Sequence, residues 1–588
     1  MKKSLLSAFV ILALSCAAGA QNIYDAINLS ENHYYGTARS MALGNAVTAL
    51  GGDLGSVGIN PAGSAVALYS QFVITPGISI SSTGMSYSPS GDSAFGASQG
   101  QSKTRFGLPN IGVSINIDTD YSSWLKSMSF GLTVNQTNSY LGAAGASGIN
   151  PLTSRFGEMA ASASVLGYKP SLAGSYNTYY SNDTDIYGNY YAWDILTAYQ
   201  GCGISDYDSG GDTFYVGNTE SIAEDAEGFL YTYVPGDLAQ TFSTVTRGYK
   251  SDICLNWAFN VSDRFYFGFN LGLPTMDYRR DETFTEAAVN PEKFPVTFVI
   301  DGGEVDTNFK SATYSYAYAA KVRGLYAKFG FIYLPTRNLR IGAAIQTPTG
   351  YKVTETWEYG VATRFGLSSQ DGSAYSPVGQ STYTLRSPYE VNVGLALTIG
   401  AAALLSADYE MMDYSIMRYR DTGGSTSGAY TAVNEINSKF GGVSHSLRVG
   451  AEVRLTPAFS LRAGYNFRTS PERHYTDSNC GGVFADVTAD NYADHFDEFH
   501  TGVWTLGERK YYSEDIIHSF SFGAGYSSAG SFFADICVRL NKYPRSVSSL
   551  YYKYDNYDSD GSLLSSAAPC VRSSRDLWDV ALTLGWRF

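Results

Sequence analysis

The chain has 588 residues, with 47 Tyr, 31 Phe and 61 Gly, only 16% charged residues and a formal net charge of -14. So acidic a chain is a poor partner for nucleic acid, whose phosphates require a basic surface. Six cysteines scattered over this length also exclude the small secreted disulfide scaffold.

Residues 1–20, MKKSLLSAFVILALSCAAGA, follow the plan of a secretory signal peptide, with two lysines, a short apolar run and Ala18-Gly19-Ala20 before Gln21. Its removal would take Lys2, Lys3 and Cys16, moving the net charge to -16 and leaving five cysteines, expected as buried or idle thiols. Cys16 raises a lipoprotein alternative, but Ala13-Leu14-Ser15 matches a lipidation box poorly. No later apolar run is long enough for a membrane helix, so any spanning must be done by strands.

Residues 21–70 precede the first strand and include GTARSMALGNAVTALGGDLGSVGINPAGSA, dominated by Gly, Ala and Ser. Such a stretch suits either a loose linker or a segment packed where only small side chains fit. From residue 71 the sequence changes to a period of two. In LRVGAEVRL, Leu447, Val449, Ala451, Val453 and Leu455 share one face, and Arg448, Gly450, Glu452 and Arg454 the other. Phe265, Phe267, Phe269, Leu271 and Leu273 repeat the pattern, as do Val391, Val393, Leu395, Leu397 and Ile399.

Fourteen strands are predicted, near 71–81, 105–117, 126–137, 249–261, 263–274, 318–334, 338–353, 384–399, 402–417, 444–456, 458–469, 515–527, 530–542 and 576–588. Their connections alternate between short and long, the largest being 138–248, which is the asymmetry of an outer-membrane barrel. A soluble sandwich also alternates. It gives no reason for all the long loops to lie at one end, nor for a last strand, LWDVALTLGWRF, with Trp578, Val580, Leu582, Leu584, Trp586 and Phe588 on one face. The predicted fold is therefore all-β: a transmembrane antiparallel barrel of about 14 strands over 71–588, in the outer membrane of a Gram-negative bacterium. A lumen of that width must be plugged or open, and the small-residue segment 21–70 is the predicted plug.

The large loop holds twelve acidic residues between 138 and 245 against Arg155 and Lys169. Phe156, Met159, Ala163 and Leu166 follow Asn150-Pro151 at helical spacing, and Trp193, Ile195, Leu196 and Tyr199 form a second apolar cluster. Phe156, Met159, Leu166, Trp193, Leu196 and Tyr199 are candidates for first capture of a ligand if exposed; the alternative is a lid packing its own core. On the polar face of the wall, Arg448, Glu452, Arg454, Arg462, Arg468, Asp408, Glu410, Asp535, Arg539, Asp579 and Arg587 are expected to pair with one another and with Arg39 and Asp53 of the plug. So polar a lower lumen places any greasy pocket higher.

The segment from Glu31 through the Asn-Pro-Ala-Gly at 60–63 resembles the N-terminal hatch of FadL-type long-chain fatty acid transporters. YTLRSPYEVNVGLAL, LLSADYEMMDYS and HSLRVGAEVRLTPAFSLRAGYNFRTSP resemble the C-terminal half of that family, and the ending at Phe588 resembles the signal that hands such proteins to the barrel-assembly machinery. The resemblance implies passive uptake of hydrophobic molecules, fatty acids or similar lipids: capture by outer loops, an upper-lumen pocket, and sideways release through the wall as the hatch shifts. It implies a monomer, outer-membrane lipid around it, and no cofactor. Asn60, Pro61, Ala62 and Gly63 occupy the hatch motif, where Pro61 fixes a dihedral, Asn60 forms a turn and Gly63 permits positive φ; they fold the plug or touch the ligand. A diffusion porin and a surface adhesin are the alternatives.

Enzymatic chemistry finds no footing. His33, His445, His474, His495, His500 and His518 form no grouping with Ser and acid that spacing singles out. Asp494-His495 with Asp497, Glu498 and His500 is expected to be a solvated charge cluster, not a metal site. Asp206–Asp212 and Asp555–Gly561 lack the ligand register of a calcium loop.

Overall fold

A computed structural model describes residues 23–588 except 91–93, 120–123, 167–192, 210–211, 227, 301, 424–427, 472–509, 514–515, 552–553 and 565–567. The predicted signal peptide and the cluster at 494–500 lie outside the described residues.

Fourteen antiparallel wall strands close into a barrel. They are β1 (Gln71–Ser88), β2 (Gln99–Asp118), β3 (Leu125–Ser139), β4 (Leu238–Val261), β5 (Phe265–Ala288), β6 (Gly303–Tyr333), β7 (Leu339–Gln346 and Gly350–Phe365), β8 (Gly379–Arg386 and Glu390–Ile399), β9 (Ala403–Asp413 and Arg418–Asp421), β10 (Val443–Arg454), β11 (Phe459–Thr469), β12 (Ile516–Ser527), β13 (Phe532–Lys542) and β14 (Cys570–Arg587). β1 pairs with β14 from Gln71↔Arg587 to Ser88↔Cys570, so the last strand shuts the ring. Every predicted strand is present. The outward face of each lower wall is apolar, as at Leu447, Val449 and Val453 of β10, while Ser446, Arg448 and Gly450 point inward and are buried. That surface suits hydrocarbon, and the architecture is that of an outer-membrane barrel.

The predicted strand ends fall short in the upper wall. β4 and β5 have 24 residues each and β6 has 31, against about 9–11 needed to cross a bilayer. Much of the sequence expected as loop, including 275–288, 295–300 and 354–365, is wall rising above the membrane or strand attached to it. The described residues of the large connection 138–248 include a strand (Gly142–Asn150) on β4 and two helices, α1 (Arg155–Leu166) and α2 (Trp193–Gln200). These helices form a cap with its own core, where Phe156, Met159, Ala163, Ile195 and Ala198 pack on Phe294, Phe309 and Phe365 from β5, β6 and β7 or their connections.

Candidate functional site

Three places inside the barrel depart from a plain closed wall: the seat of the N-terminal segment, a break in the strand ladder, and a cavity under the cap.

Residues 31–67 lie against the inward side of the wall and bond to it around the ring. The Ala38 amide donates to Thr583 Oγ1 at 2.7 Å, the Thr48 amide to Asp408 Oδ2 at 2.7 Å, and Asn270 Nδ2 to the Val57 carbonyl at 2.8 Å. Arg39 Nε donates to Glu452 Oε2 at 3.0 Å, and the same oxygen takes Arg462 Nε at 2.7 Å. Asp53 differs from the expected wall partner: it accepts from Thr37 Oγ1 at 2.6 Å and so ties the segment to itself. Further wall charges pair as expected, Arg448 and Arg468 with Glu410, and Arg539 with Asp579.

Asn60 is fully buried and holds the segment in two directions. Its Nδ2 donates to the Thr48 carbonyl at 2.7 Å and the Phe331 carbonyl of β6 at 3.1 Å, while its Oδ1 caps the Ala62 amide at 3.1 Å. Pro61 then opens the short turn Pro61–Val66 without losing a donor, since that position has no helical partner for an amide. The expectation that Gly63 supplies a positive φ is corrected, because Gly63 is not among the left-handed glycines; a side chain there would strike Ser56 Oγ at 2.7 Å. The wall makes matching room. Gly268 and Gly330 face each other across the β5–β6 ladder, and a side chain at either would drive into Asn60, Pro61 or Ala62.

Sequence reasoning missed the central contact, a charge pair with no exposed surface. Lys328 Nζ donates to Glu390 Oε1 at 2.8 Å, to the Gly58 carbonyl at 2.9 Å and to the Tyr34 hydroxyl at 3.3 Å, using all three protons. The Tyr34 hydroxyl in turn donates to Glu390 at 2.7 Å. The available sign was a lone lysine on the inward face of an otherwise aromatic strand, YAKFGFIY.

The wall break lies between β2 and β3. Their ladder runs from Asp118↔Ser127 up to Asn110↔Asn135 and stops. Above it, Gln99–Gly107 of β2 pair with β1 alone, while β3 pairs only with β4. Pro76 and Pro109 sit at this height, neither with an amide proton, and the β1 register shifts there between Thr75 and Gly77. The freed edge of β3 bonds instead to the N-terminal segment: the Gln136 carbonyl accepts from the Tyr35 amide at 3.1 Å and the Thr137 carbonyl from the His33 amide at 2.6 Å.

The cavity, of about 200 Å³, is lined chiefly by Arg155, Arg280, Glu282, Tyr314, Tyr316 and Tyr359. It is aromatic and charged, not uniformly greasy. Between it and the segment, the helix Ile23–Ser30 packs Ala26, Ile27 and Leu29 among Tyr140, Tyr278, Tyr318, Tyr351 and Tyr383. The expected capture residues do not form an exposed surface. Phe156, Met159 and Leu196 are buried in the cap core and Trp193 and Tyr199 are half-buried; the side chain of Leu166 is outside the described residues. Among the described residues no group of His, Cys, Asp or Glu is arranged to hold a metal, and Cys202, Cys254, Cys537 and Cys570 are not joined in disulfides with one another.

No protein-family model matches the sequence, and no curated protein matches it. Among solved structures the chain is similar to the Pseudomonas putida toluene transporter TodX, at 11% identity and a TM-score of 0.42 over 95% of this chain and 100% of that one. It is similar to a Pseudomonas aeruginosa FadL homologue at 11% and 0.44, over 94% of this chain and 99% of that one. For the CymD monoaromatic hydrocarbon channel the values are 9% and 0.42, over 94% and 97%. Similarities this weak carry no functional weight.

Proposed function

We propose that the protein is a passive outer-membrane transporter of hydrophobic small molecules, long-chain fatty acids or similar lipids among them, in which residues 21–70 form a plug and the break between β2 and β3 is a sideways exit. The observation that carries this is the ladder stopping at Asn110↔Asn135 while the exposed apolar face of β2 continues past it through Leu108 and Phe106. Backbone groups without partners are not tolerated against lipid, and non-helical backbone at that depth occurs only where it lines a cavity or is buried in protein. The break therefore reads as a built opening from lumen to bilayer. Below it the docked segment blocks the axial route, which disfavours a general pore. Asn60, Pro61, Ala62 and Gly63 fold and seat the plug, with Arg39 as a docking residue; the cap core around Phe156 and Met159 shapes the outer entrance.

The test uses Gly107 and Gln136, which flank the break; a side chain at Gly107 would lie 3.8 Å from Gln136 Oε1. In Gly107→Cys/Gln136→Cys protein reconstituted in vesicles, oxidation should stop delivery of a fluorescent acyl probe to the membrane, and reductant should restore it. Delivery that continues through the oxidised barrel would overturn the sideways route.

A further inference from the structure

Three cations surround the break on its inward side, and among the described residues none stands within ion-pair distance of an acid, the acidic charge felt by Lys103 being that of Asp281, beyond contact. Lys103 and Arg105 lie on the half of β2 whose outer edge is unpaired, on the half-buried side of the strand. Their side chains reach across the break to the next wall. Arg105 Nη1 donates to the Gly248 carbonyl of β4 at 2.7 Å and Nη2 to Ser139 Oγ at 3.4 Å; Lys103 Nζ reaches the Thr246 carbonyl at 3.5 Å. From the other side Arg575 of β14 donates to the Leu141 carbonyl at 2.8 Å and to Ser81 Oγ at 3.1 Å. Among the described residues none of the three forms an ion pair, although Arg39, Lys328, Arg448, Arg462, Arg468 and Arg539 all do.

Neutral carbonyls and hydroxyls are weaker partners for a guanidinium than a carboxylate, which binds in shorter, stronger, often bidentate pairs. Arg105 thus holds a replaceable bond at the one place where the wall is open. The opposite face of the same stretch carries Phe106, 79% exposed, and Leu108, both directed outward. A molecule crossing here would meet cations on the lumen side and apolar surface on the lipid side. Resting on the sideways exit argued above, we propose that Lys103, Arg105 and Arg575 form a cationic latch across the break that selects hydrophobic molecules bearing a carboxylate, whose head group replaces the bond from Arg105 to the Gly248 carbonyl as the chain slides into the bilayer.

The experiment compares hexadecanoate with hexadecanol in vesicles containing the full barrel, for the native protein, Lys103→Ala/Arg105→Ala and Lys103→Gln/Arg105→Gln; the Gln pair keeps hydrogen-bond donors and removes charge. The native protein should deliver the acid about tenfold faster than the alcohol, the scale of one charge-assisted bond exchanged for a neutral one. Both variants should lose that preference while still passing the alcohol, the Ala pair at an undiminished or higher rate. An acid-to-alcohol ratio unchanged in the Gln pair overturns the latch and leaves the exit standing; a native barrel that delivers neither molecule overturns both.

Discussion

Removing the charge of Glu390 should undock the N-terminal segment while sparing the barrel. Glu390 accepts from Lys328, from Tyr34 and from Asn392 Nδ2 at 2.6 Å, and Lys328 has no exposed surface through which water could replace the missing charge. Breaking one side of a buried pair typically costs about 3–5 kcal/mol, most of it the burden of the abandoned charge. The wall strands keep their ladders whatever the plug does, so the loss falls on docking. At about 1.4 kcal/mol per decade, amide exchange at His33 and Tyr35 in Glu390→Gln should speed up by roughly two to three and a half decades, with exchange in β5 and β6 unchanged. Replacing both members, Lys328→Met/Glu390→Met, removes the stranded charge and should recover more than a decade of that protection, because apolar replacement of a buried pair is often neutral. Hydrogen exchange followed by mass spectrometry reads this directly. Unchanged exchange at 33–35 in the single variant, or a double variant as open as the single, would refute the assignment of plug docking to this pair.

Gly330→Leu should expel the Asn60–Gly63 turn from its seat, since a side chain there occupies the space of Asn60, and planar-bilayer recordings should show added steady conductance over the native protein. Phe156→Ala should behave as a core deletion and not as a lost ligand contact, destabilising the cap by about 3–5 kcal/mol and accelerating its proteolysis even without ligand. Glu220 in the cap has its carboxyl pushed up to about 7 from 4.5, by burial first and by the nearby Glu286 charge, with the bond from the Tyr554 hydroxyl opposing. The folded cap therefore holds a proton that the unfolded loop has released, so cap stability is greatest below about pH 4.5 and falls by roughly 3 kcal/mol as pH rises through 7. Limited proteolysis at pH 5 and pH 8 should show the cap more resistant at pH 5, and Glu220→Gln should shrink the difference, the remainder belonging to Glu286, which burial also pushes up to about 7.

The wall was legible because lipid imposes a period of two on every strand that touches it, and Leu447 to Val453 or Phe265 to Leu273 can be read without knowing anything else. Above the bilayer that constraint lapses. In β6, Tyr316, Tyr318 and Val322 still point inward, but the alternate outward positions are Ala317, Lys321 and Arg323, which face water and carry no apolar signal, so the upper wall passes for a loop. The amphipathic spacing of Phe156, Met159 and Ala163 correctly gave a helix yet is silent on what the apolar face meets, and here it meets Phe294, Phe309 and Phe365. The seat of the N-terminal segment had a sign in the wall as well as in the segment: glycines paired across strands, Gly268↔Gly330, Gly342↔Gly394 and Gly450↔Gly464, each against that segment. The break had one too, in Pro76 and Pro109 inside predicted strands. Long-range pairs such as Lys328 with Glu390 leave no periodic trace, and only the closed ring brings them together.

The proposed plug and the proposed exit share Gln136 and Thr137. Their carbonyls have two possible sets of donors, the amides of Tyr35 and His33 or those of the facing half of β2, and the folded protein uses the first. Each carbonyl left bare in a water-poor lumen costs about 1–3 kcal/mol, so β3 cannot stay unpaired on both sides for long. In the proposed mechanism the docked segment holds the freed edge of β3, leaves the side route open and blocks the axial one. If the segment leaves, the same edge gains most by closing onto β2, although Pro109 denies it one donor. The two routes out of the lumen are thereby made mutually exclusive by a shared strand edge, so a barrel whose plug has been displaced should conduct ions along its axis yet deliver less acyl probe to the bilayer, and the Gly107→Cys/Gln136→Cys disulfide should form faster in Glu390→Gln than in the native background.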